Sequence, residues 1–271
     1  MSATTPAPPG PSLDWLGGAA ERRFRAARPD PGLAWGSVAA AIGGLSPALV
    51  DAARAQWTRR VGGEYAAAVQ FAQLGSAMLA AQAPIDLIGM TSTFVTDELH
   101  HVELCARVLM ELGGAVPARF EPAEMVLRCD PALTPRQLTS ELVVRLCCVT
   151  EALNLPIAVR AGEAAEAPLL RDVLALIAEE EAPHATLGEL WLEWAGPDLD
   201  DAERRRLAAA AADQLTHYTW LWHAPPGATA AEHALRSAMA PDEQAATARR
   251  TVTGRILPKL ARWGIDVAAP F

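Results

Sequence analysis

The sequence has little of what builds β-sheets, disulfide frameworks or membrane spans. Val, Ile and Thr do not alternate with polar residues in short runs, which is the pattern that predicts strands. No stretch reaches about 18 uninterrupted apolar residues, so we expect no transmembrane helix. The 4 cysteines, two of them adjacent, lack the spacing of a disulfide scaffold, and the first residues lack the features of a signal peptide. These absences predict a reduced, cytoplasmic protein.

Positive charge is also in short supply. The chain has 23 Lys and Arg against 32 Asp and Glu, and its formal net charge is −9. A surface of that sign repels the phosphates of nucleic acids and the anionic headgroups of membranes. We therefore expect neither nucleic acid nor a membrane as a partner, and part of the acid excess is available to bind metal cations.

Helical patterns dominate the rest of the chain and predict an all-α fold in three parts. Residues 1–44, rich in Pro, Ala and Arg, are predicted to be a flexible N-terminal arm. Residues 45–197 predict four long helices; Ser46-Pro47 and Thr134-Pro135 begin two of them, because Ser or Thr caps a helix and Pro fits its first turn. Residues 198–271 predict a helical extension packed on the others, with helices over about 201–222, 229–239 and 241–263.

Two of the long helices place a glutamate three residues before a histidine. These pairs are Glu98 with His101 and Glu181 with His184. On an α-helix this spacing puts a carboxylate and an imidazole on one face, one turn apart. A metal ion can use both groups from one face.

The helix that precedes each pair carries a lone glutamate, Glu64 or Glu151, in an apolar stretch. A buried carboxylate needs a partner. The helix breaks at residues 81–84 and 162–168 each lie midway between the lone glutamate and the glutamate of the following pair. In an antiparallel hairpin the two glutamates then lie at the same height. The candidate metal ligands are therefore Glu64, Glu98, His101, Glu151, Glu181 and His184.

A segment of about twenty residues between the second and third helices has several prolines and no helical period. Fully extended, it covers at most roughly 65 Å, enough to cross a helical bundle from end to end. Such a length without regular structure inside a domain needs an explanation of this kind. The segment is therefore predicted to be a long crossover between two helical hairpins.

These residues, in this chain order, resemble the ferritin-like di-iron carboxylate superfamily. Its members bind two metals with one Glu from each of two helices and a Glu-x-x-His motif from each of the other two. The resemblance implies a ferritin-like four-helix bundle with one long crossover and additional C-terminal helices. It implies a site of four Glu and two His, in which Glu98 and either Glu151 or Glu181 include the bridging ligands.

The residue before each motif glutamate is also acidic. By the same resemblance, Asp97 would orient His184 across the bundle, and Glu180 would orient His101. The remaining histidines are expected not to bind metal; they are His100, His217, His223 and His233.

The resemblance implies a non-haem di-iron oxygenase or oxidase. Such an enzyme uses two iron ions, dioxygen and an external electron donor to oxidise a small organic substrate, either biosynthetic or carrier-bound. Manganese is the alternative metal, since affinity follows metal availability as much as ligand type. The expected partners are the small-molecule substrate and a reductase, and a homodimer is the candidate assembly. The alternatives are a ferroxidase or iron-handling protein, a manganese catalase, and a structural or regulatory bundle with a vestigial site.

Small or apolar residues lie about one turn from the candidate ligands, as is typical of a substrate pocket. Gly62-Gly63, Pro156 and Pro183 weaken three of the four helices near the ligands. We hypothesise that these weak points open room for a substrate. The predicted lining is Val61, Ala67, Ala68, Phe94, Val95, Cys147, Cys148 and Ile177.

Overall fold

The computed structural model describes residues 14–222 and 239–271. Within these ranges the regular secondary structure is helical and no strand is found, so the all-α prediction is confirmed. The helix predicted over 229–239 falls almost wholly outside the described residues. His223 and His233 fall outside them as well.

Four long helical runs form the body of the protein. They are α3 (Pro47–Ala80), α4 (Ile85–Glu111), the run formed by α6 (Pro135–Val143), a π-helical segment (Val144–Glu151) and α7 (Ala152–Ala164), and α8 (Pro168–Ala195). The shorter helices are α1 (Gly18–Ala27), α2 (Ser37–Ala41), α5 (Pro122–Met125), α9 (Asp201–Thr216), α10 (Thr219–Trp222), α11 (Pro241–Thr251) and α12 (Leu257–Ala261). A second π-helical segment, Val252–Ile256, joins α11 to α12.

Local chemistry sets where the long helices begin and end. The Ser46 hydroxyl accepts a hydrogen bond from the backbone N–H of Leu49 at the start of α3, and Thr134 forms a capping box with Gln137 at the start of α6. At the end of α4, Gly114 has a φ of 97°, which a residue with a side chain rarely adopts. Its N–H donates to the carbonyl of Leu109, which closes the helix.

The long helices pair as two hairpins that pack on each other. Helix α3 packs along α4, and α7 with the preceding π-helical segment packs along α8. Helix α4 also contacts α8, and α3 contacts α6. The four runs therefore share one interior.

The segment between α4 and α6 follows α3 along its length. Its backbone meets side chains of α3 in order, from the first third of that helix to its last third: Arg54 with Gly114, Thr58 with Val116, Gln70 with Met125 and Gln73 with Leu127. The segment therefore crosses from one end of the α3–α4 hairpin to the other.

Two apolar clusters fill the interior, one towards each end. The first contains Phe71, Leu74, Phe94, Leu146 and Leu187, and the second contains Trp57, Val61, Leu104, Leu170 and Ile177. Along α3, α4 and α8 the chain passes from one cluster to the other across the candidate ligands. We call these six residues the polar layer: Glu64, Glu98, His101, Glu151, Glu181 and His184.

Within the N-terminal arm, residues 14–44 contain α1 and α2 and dock on α4. Arg25 donates two hydrogen bonds to Glu103, and Val38, which is buried, donates its N–H to Glu111. These contacts join residues more than 70 positions apart in the chain. Periodicity within the arm could not reveal them.

The run from Pro135 to Ala164 is long and apolar enough to span a membrane, with a mean hydropathy of 1.7 over its most apolar window. Of that window, 56% is buried inside the protein. The core helix of a globular domain has the same properties, and this run forms one wall of the shared interior.

Candidate metal centre

Every long helical run contributes to the polar layer. Helix α3 provides Glu64, the π-helical segment provides Glu151, and α4 and α8 each provide one Glu-x-x-His pair. Glu98, His101 and His184 are fully buried, Glu151 and Glu181 are nearly so, and the side chain of Glu64 is 16% exposed. The structure thus brings all six candidate ligands together in a dry interior.

One half of the layer is centred on His101. Its Nδ1 lies 3.3 Å from Glu181, 3.5 Å from Glu98 and 3.7 Å from Glu64. One ligand atom from each of these four residues lies within 4.8 Å of the other three. That is the geometry of a single cation site with three carboxylates and one imidazole.

The other half is centred on His184. Its Nδ1 lies 2.9 Å from Glu181 and 3.1 Å from Glu98. Glu151, Glu181 and His184 form a second group whose ligand atoms lie within 4.8 Å of one another. This group could hold a second cation, with its own imidazole and its own lone glutamate.

Glu98 and Glu181 lie between the two halves. Glu98 turns Oε2 to His101 and Oε1 to His184, while Glu181 turns Oε1 to His101 and Oε2 to His184. Each carboxylate thus presents one oxygen to each site. Of the two groups that could hold a cation, Glu181 belongs to both, Glu98 to the first and Glu151 to the second.

Several atoms of the layer are buried without a hydrogen-bond partner. They are both carboxylate oxygens of Glu98, Oε1 of Glu151 and Nδ1 of His101. A buried polar group without a partner is costly, and a charged one more so. A bound cation would satisfy all four atoms, and iron and manganese are among the metals that accept oxygen and imidazole donors.

The pKa values of the layer follow from burial and from like charges. Burial raises the pKa of Glu98 and of Glu151, and repulsion from Glu181 raises both further. Burial by itself lowers the pKa of His184, but contacts with Glu181 and Glu98 outweigh it and raise the value to about 9. Without a metal, protons must therefore neutralise part of the carboxylate charge.

Two further acids contact the outer nitrogens of the histidines. Asp97 Oδ2 lies 3.3 Å from Nε2 of His184, and Glu180 Oε2 lies 3.1 Å from Nε2 of His101. Both imidazoles therefore turn Nδ1 to the polar layer and Nε2 to a carboxylate. An acceptor at Nε2 fixes the tautomer and makes the opposite nitrogen a better metal ligand.

His100 is buried and lies outside the ligand groups. Its Nδ1 is 3.1 Å from the same oxygen of Glu180 that contacts His101. It is thus a polar neighbour of the site, as expected for this residue. His217 is exposed and distant in sequence from every ligand pair.

The predicted pocket residues lie on the inner faces of the helices. Val61, Ala68, Phe94, Cys147, Cys148 and Ile177 are buried, whereas Ala67 and Val95 are partly buried. Their role in binding a substrate remains a prediction.

The two adjacent cysteines have different surroundings. Burial raises the pKa of Cys147, and nearby Glu151 and Glu181 contribute to the shift. Burial raises the pKa of Cys148 to about 12, with Lys259 and Glu189 as its charged neighbours. Cys147 is therefore close to the charges of the polar layer, whereas the Sγ of Cys148 lies against Gly188 of α8.

Sequence reasoning missed several residues that lie at or beside the polar layer. Phe71 packs its ring on His184, with centroids 4.8 Å apart, beside Phe94 at 4.1 Å. Phe71 lies seven residues after Glu64, so the helical repeat could have placed it on the same face. Two others, Tyr218 and Gln214, donate to the hydroxyl of Thr150, and nothing in their local sequence predicts that contact.

The glycines and prolines that were predicted to weaken the helices have different effects on helix geometry. A π-helical segment ends at Glu151, five residues before Pro156, and such segments often mark functional sites. By contrast, α3 and α8 continue through Gly62-Gly63 and Pro183. Pro183 is on the exposed side of α8, where water can satisfy the carbonyl that loses its helical donor.

Comparison of the chain with protein-family models, with curated proteins and with solved structures found no match.

Proposed function

We propose that this protein is an oxidoreductase with a dinuclear metal centre of the ferritin-like di-iron carboxylate kind. It would activate dioxygen to oxidise a small organic substrate. The observation that carries the proposal is the shared pair of carboxylates, Glu98 and Glu181, each with one oxygen towards each histidine Nδ1. A single-metal site has no use for two such carboxylates.

Charge supports two divalent cations rather than one. The polar layer contains four carboxylates and two imidazoles. Two divalent ions therefore make it neutral when both imidazoles are uncharged. Neutrality matters here because an uncompensated charge in a dry interior costs several kcal/mol or more. Glu64 would complete the site of His101, and Glu151 that of His184.

A pair of iron ions at these ligands would supply the electrons for dioxygen reduction and the oxidising power for the substrate. The protein supplies orientation and dryness. The rings of Phe71 and Phe94 cover one side of His184, and Asp97 holds its Nε2 proton. Apolar side chains near the ligands favour an organic substrate of low polarity.

Anaerobic titration with Fe(II) tests the metal centre. The wild type should bind two irons per chain, and the His184→Ala variant should bind no more than one. His217→Ala is the matched control, because His217 is exposed and should leave the stoichiometry at two. Equal iron binding by the wild type and His184→Ala would refute the proposed site.

Exposure of the reduced, iron-loaded protein to oxygen tests the reaction class. A transient charge-transfer absorption with oxygen consumption is expected in the wild type and absent in His184→Ala. Rapid peroxide dismutation by the manganese-loaded protein, with no reaction of the iron form with oxygen, would instead identify a manganese catalase and overturn the oxygenase proposal.

A further inference from the structure

Arg28 of the N-terminal arm reaches the two acids that contact the histidines. It follows directly after α1, and its side chain is 24% exposed. Its Nη2 forms an ion pair with Oδ1 of Asp97, and its Nε lies 3.6 Å from Oε1 of Glu180. One guanidinium thus bridges α4 and α8, which carry the two Glu-x-x-His motifs.

The two acids use their oxygens in the same way. Asp97 has Oδ1 on Arg28 and Oδ2 on His184, and Glu180 has Oε1 towards Arg28 and Oε2 on His101. A carboxylate held at one oxygen cannot rotate the other away from its histidine without breaking the first contact. Arg28 thus restrains Asp97 through the ion pair, and Glu180 only through a 3.6 Å contact that is longer than a hydrogen bond.

Charge gives a second reason for a cation at this position. Two divalent metals neutralise the four glutamates of the polar layer but not Asp97 and Glu180, whose side chains are only 5% and 18% exposed. Two poorly hydrated anions that share a region need a nearby cation. A planar guanidinium, always charged and able to bind two carboxylates, meets that need better than lysine does.

The arm is fastened along the helix that carries Asp97. Glu103, Arg107 and Glu111 recur at four-residue spacing on α4 and so lie on one face. Glu103 binds Arg25 at 2.6 and 2.8 Å, Arg107 binds Asp30 at 3.0 Å, and Glu111 accepts backbone N–H groups of the arm. Contacts on both sides of Arg28 hold it over the metal centre.

We propose that Arg28 is a positioning residue of the metal centre, which makes the N-terminal arm part of the site. The inference rests on the proposed dinuclear centre. By fixing Asp97 and Glu180, Arg28 holds Nδ1 of His184 and of His101 towards the metals.

Cobalt(II) binding tests this inference without any catalytic assay. Arg28→Gln removes the charge and the planar fork, and Arg28→Lys keeps the charge. Arg23→Gln is the matched control, since Arg23 is an exposed arginine of α1, the helix that Arg28 directly follows. The readouts are Co(II) affinity, the visible d–d bands of the bound ion, and the melting temperature of the metal-free protein.

Arg28→Gln should bind Co(II) at least about tenfold more weakly and shift its d–d bands, because the histidines lose their fixed orientation. Arg28→Lys should recover part of the affinity, and Arg23→Gln should match the wild type. A folded Arg28→Gln variant with wild-type affinity and bands would overturn the inference. If Arg28→Gln does not fold, Arg28→Lys decides: unchanged affinity and bands refute the role, and shifted bands at a normal melting temperature support it.

The two proposals fail in different ways. If the wild type bound no Co(II), both the dinuclear centre and the role of Arg28 would be refuted. If the wild type bound two ions and the Arg28 variants behaved identically to it, only the role of Arg28 would be lost.

Discussion

At the scale of single residues, Glu98 and Glu103 are similarly buried acids with different partners. Both lie on α4, and both are at least 95% buried, but Glu103 binds Arg25 whereas both oxygens of Glu98 lack hydrogen-bond partners. In the absence of metal, only the two histidine Nδ1 atoms, at 3.1 and 3.5 Å, offset the burial of Glu98, so we expect Glu98 to stabilise the fold less than Glu103 does.

We expect Glu98→Gln to leave the metal-free protein as stable as the wild type or more stable, because it removes a buried charge. Glu103→Gln, the matched control, should lower the free energy of unfolding by about 1–3 kcal/mol, since it breaks a charged hydrogen-bonded pair. Denaturant unfolding in the presence of a chelator measures both. Strong destabilisation by Glu98→Gln would show that the contacts of Glu98 with the two histidines outweigh the cost of its burial.

The histidines make the stability of the metal-free protein depend on pH. The pKa of His184 is raised from 6.5 to about 9 in the folded protein, so its contribution is fully present below pH 6.5 and is lost as pH rises through 9. The raised pKa values of Glu98 and Glu151 act in the same direction. The pKa of Glu180, lowered to about 2, adds a contribution that stays constant in this range.

Unfolding of the metal-free protein by urea at pH 6 and at pH 10 measures this effect. The free energy of unfolding should fall by an amount on the order of 3 kcal/mol, given about 1.4 kcal/mol per pKa unit. His184→Gln should flatten the dependence. Metal affinity should change in the opposite direction, because binding requires unprotonated ligands. If the free energy of unfolding of the wild type depended on pH as little as that of His184→Gln, the raised pKa of His184 would be contradicted.

At the scale of secondary-structure elements, the contact between α8 and the π-helical segment depends on Gly188. A Cβ at this position would lie 2.7 Å from Sγ of Cys148 and 3.2 Å from its backbone nitrogen. The close approach sets the distance between Glu151 on one element and Glu181 on the other. A larger residue must push the two apart.

Gly188→Ala should therefore lower the free energy of unfolding by about 1–3 kcal/mol through overpacking. It should also weaken binding at the His184 half of the metal centre more than at the His101 half. Gly75→Ala is the matched control, because Gly75 lies inside α3 with open space around it, and alanine there should stabilise by roughly 0.5–1 kcal/mol. Thermal unfolding and metal titration measure both variants. A Gly188→Ala variant with unchanged stability and metal binding would contradict the prediction.

The sequence predicted elements where local chemistry decides them. Caps at Ser46 and Thr134 begin helices where expected, and Gly114 helps close α4. The π-helical segment was not predicted, although Pro156 pointed to that region, because packing against α8 and α9 competes there with local propensity. The charged pairs that dock the arm on α4 were not predicted, because they join segments that are distant in the chain.

At the scale of the whole molecule, a metal pair would link both hairpins through one site. Binding only to the folded state at about 1,000 times the dissociation constant stabilises by about 4 kcal/mol. For a chain of this size that corresponds to a rise in melting temperature of roughly 10 °C. Chelation should reverse the rise in the wild type and have little effect on His184→Ala, as calorimetry would show. A melting temperature that does not change when the chelator is added would argue against a metal that links the two hairpins.

The candidate site was more predictable from the sequence than its surroundings. The six members of the polar layer follow from helical spacing and from the turns midway between them, and the structure brings them together. Other residues approach the site from segments whose sequence pattern does not relate them to it; these are Arg28, Gln214 and Tyr218. Their contacts depend on how the arm and the C-terminal helices dock, and only the folded chain determines that.

The position of the polar layer between two apolar clusters has a consequence for how the chain opens. Helices usually exchange their amide hydrogens first at frayed ends, while their centres stay protected. Here the centres of α3, α4 and α8 cross the layer of repelling carboxylates, and the ends are anchored in apolar packing. Without metal, deuterium should therefore enter these helices from the middle, and two bound cations should slow that exchange.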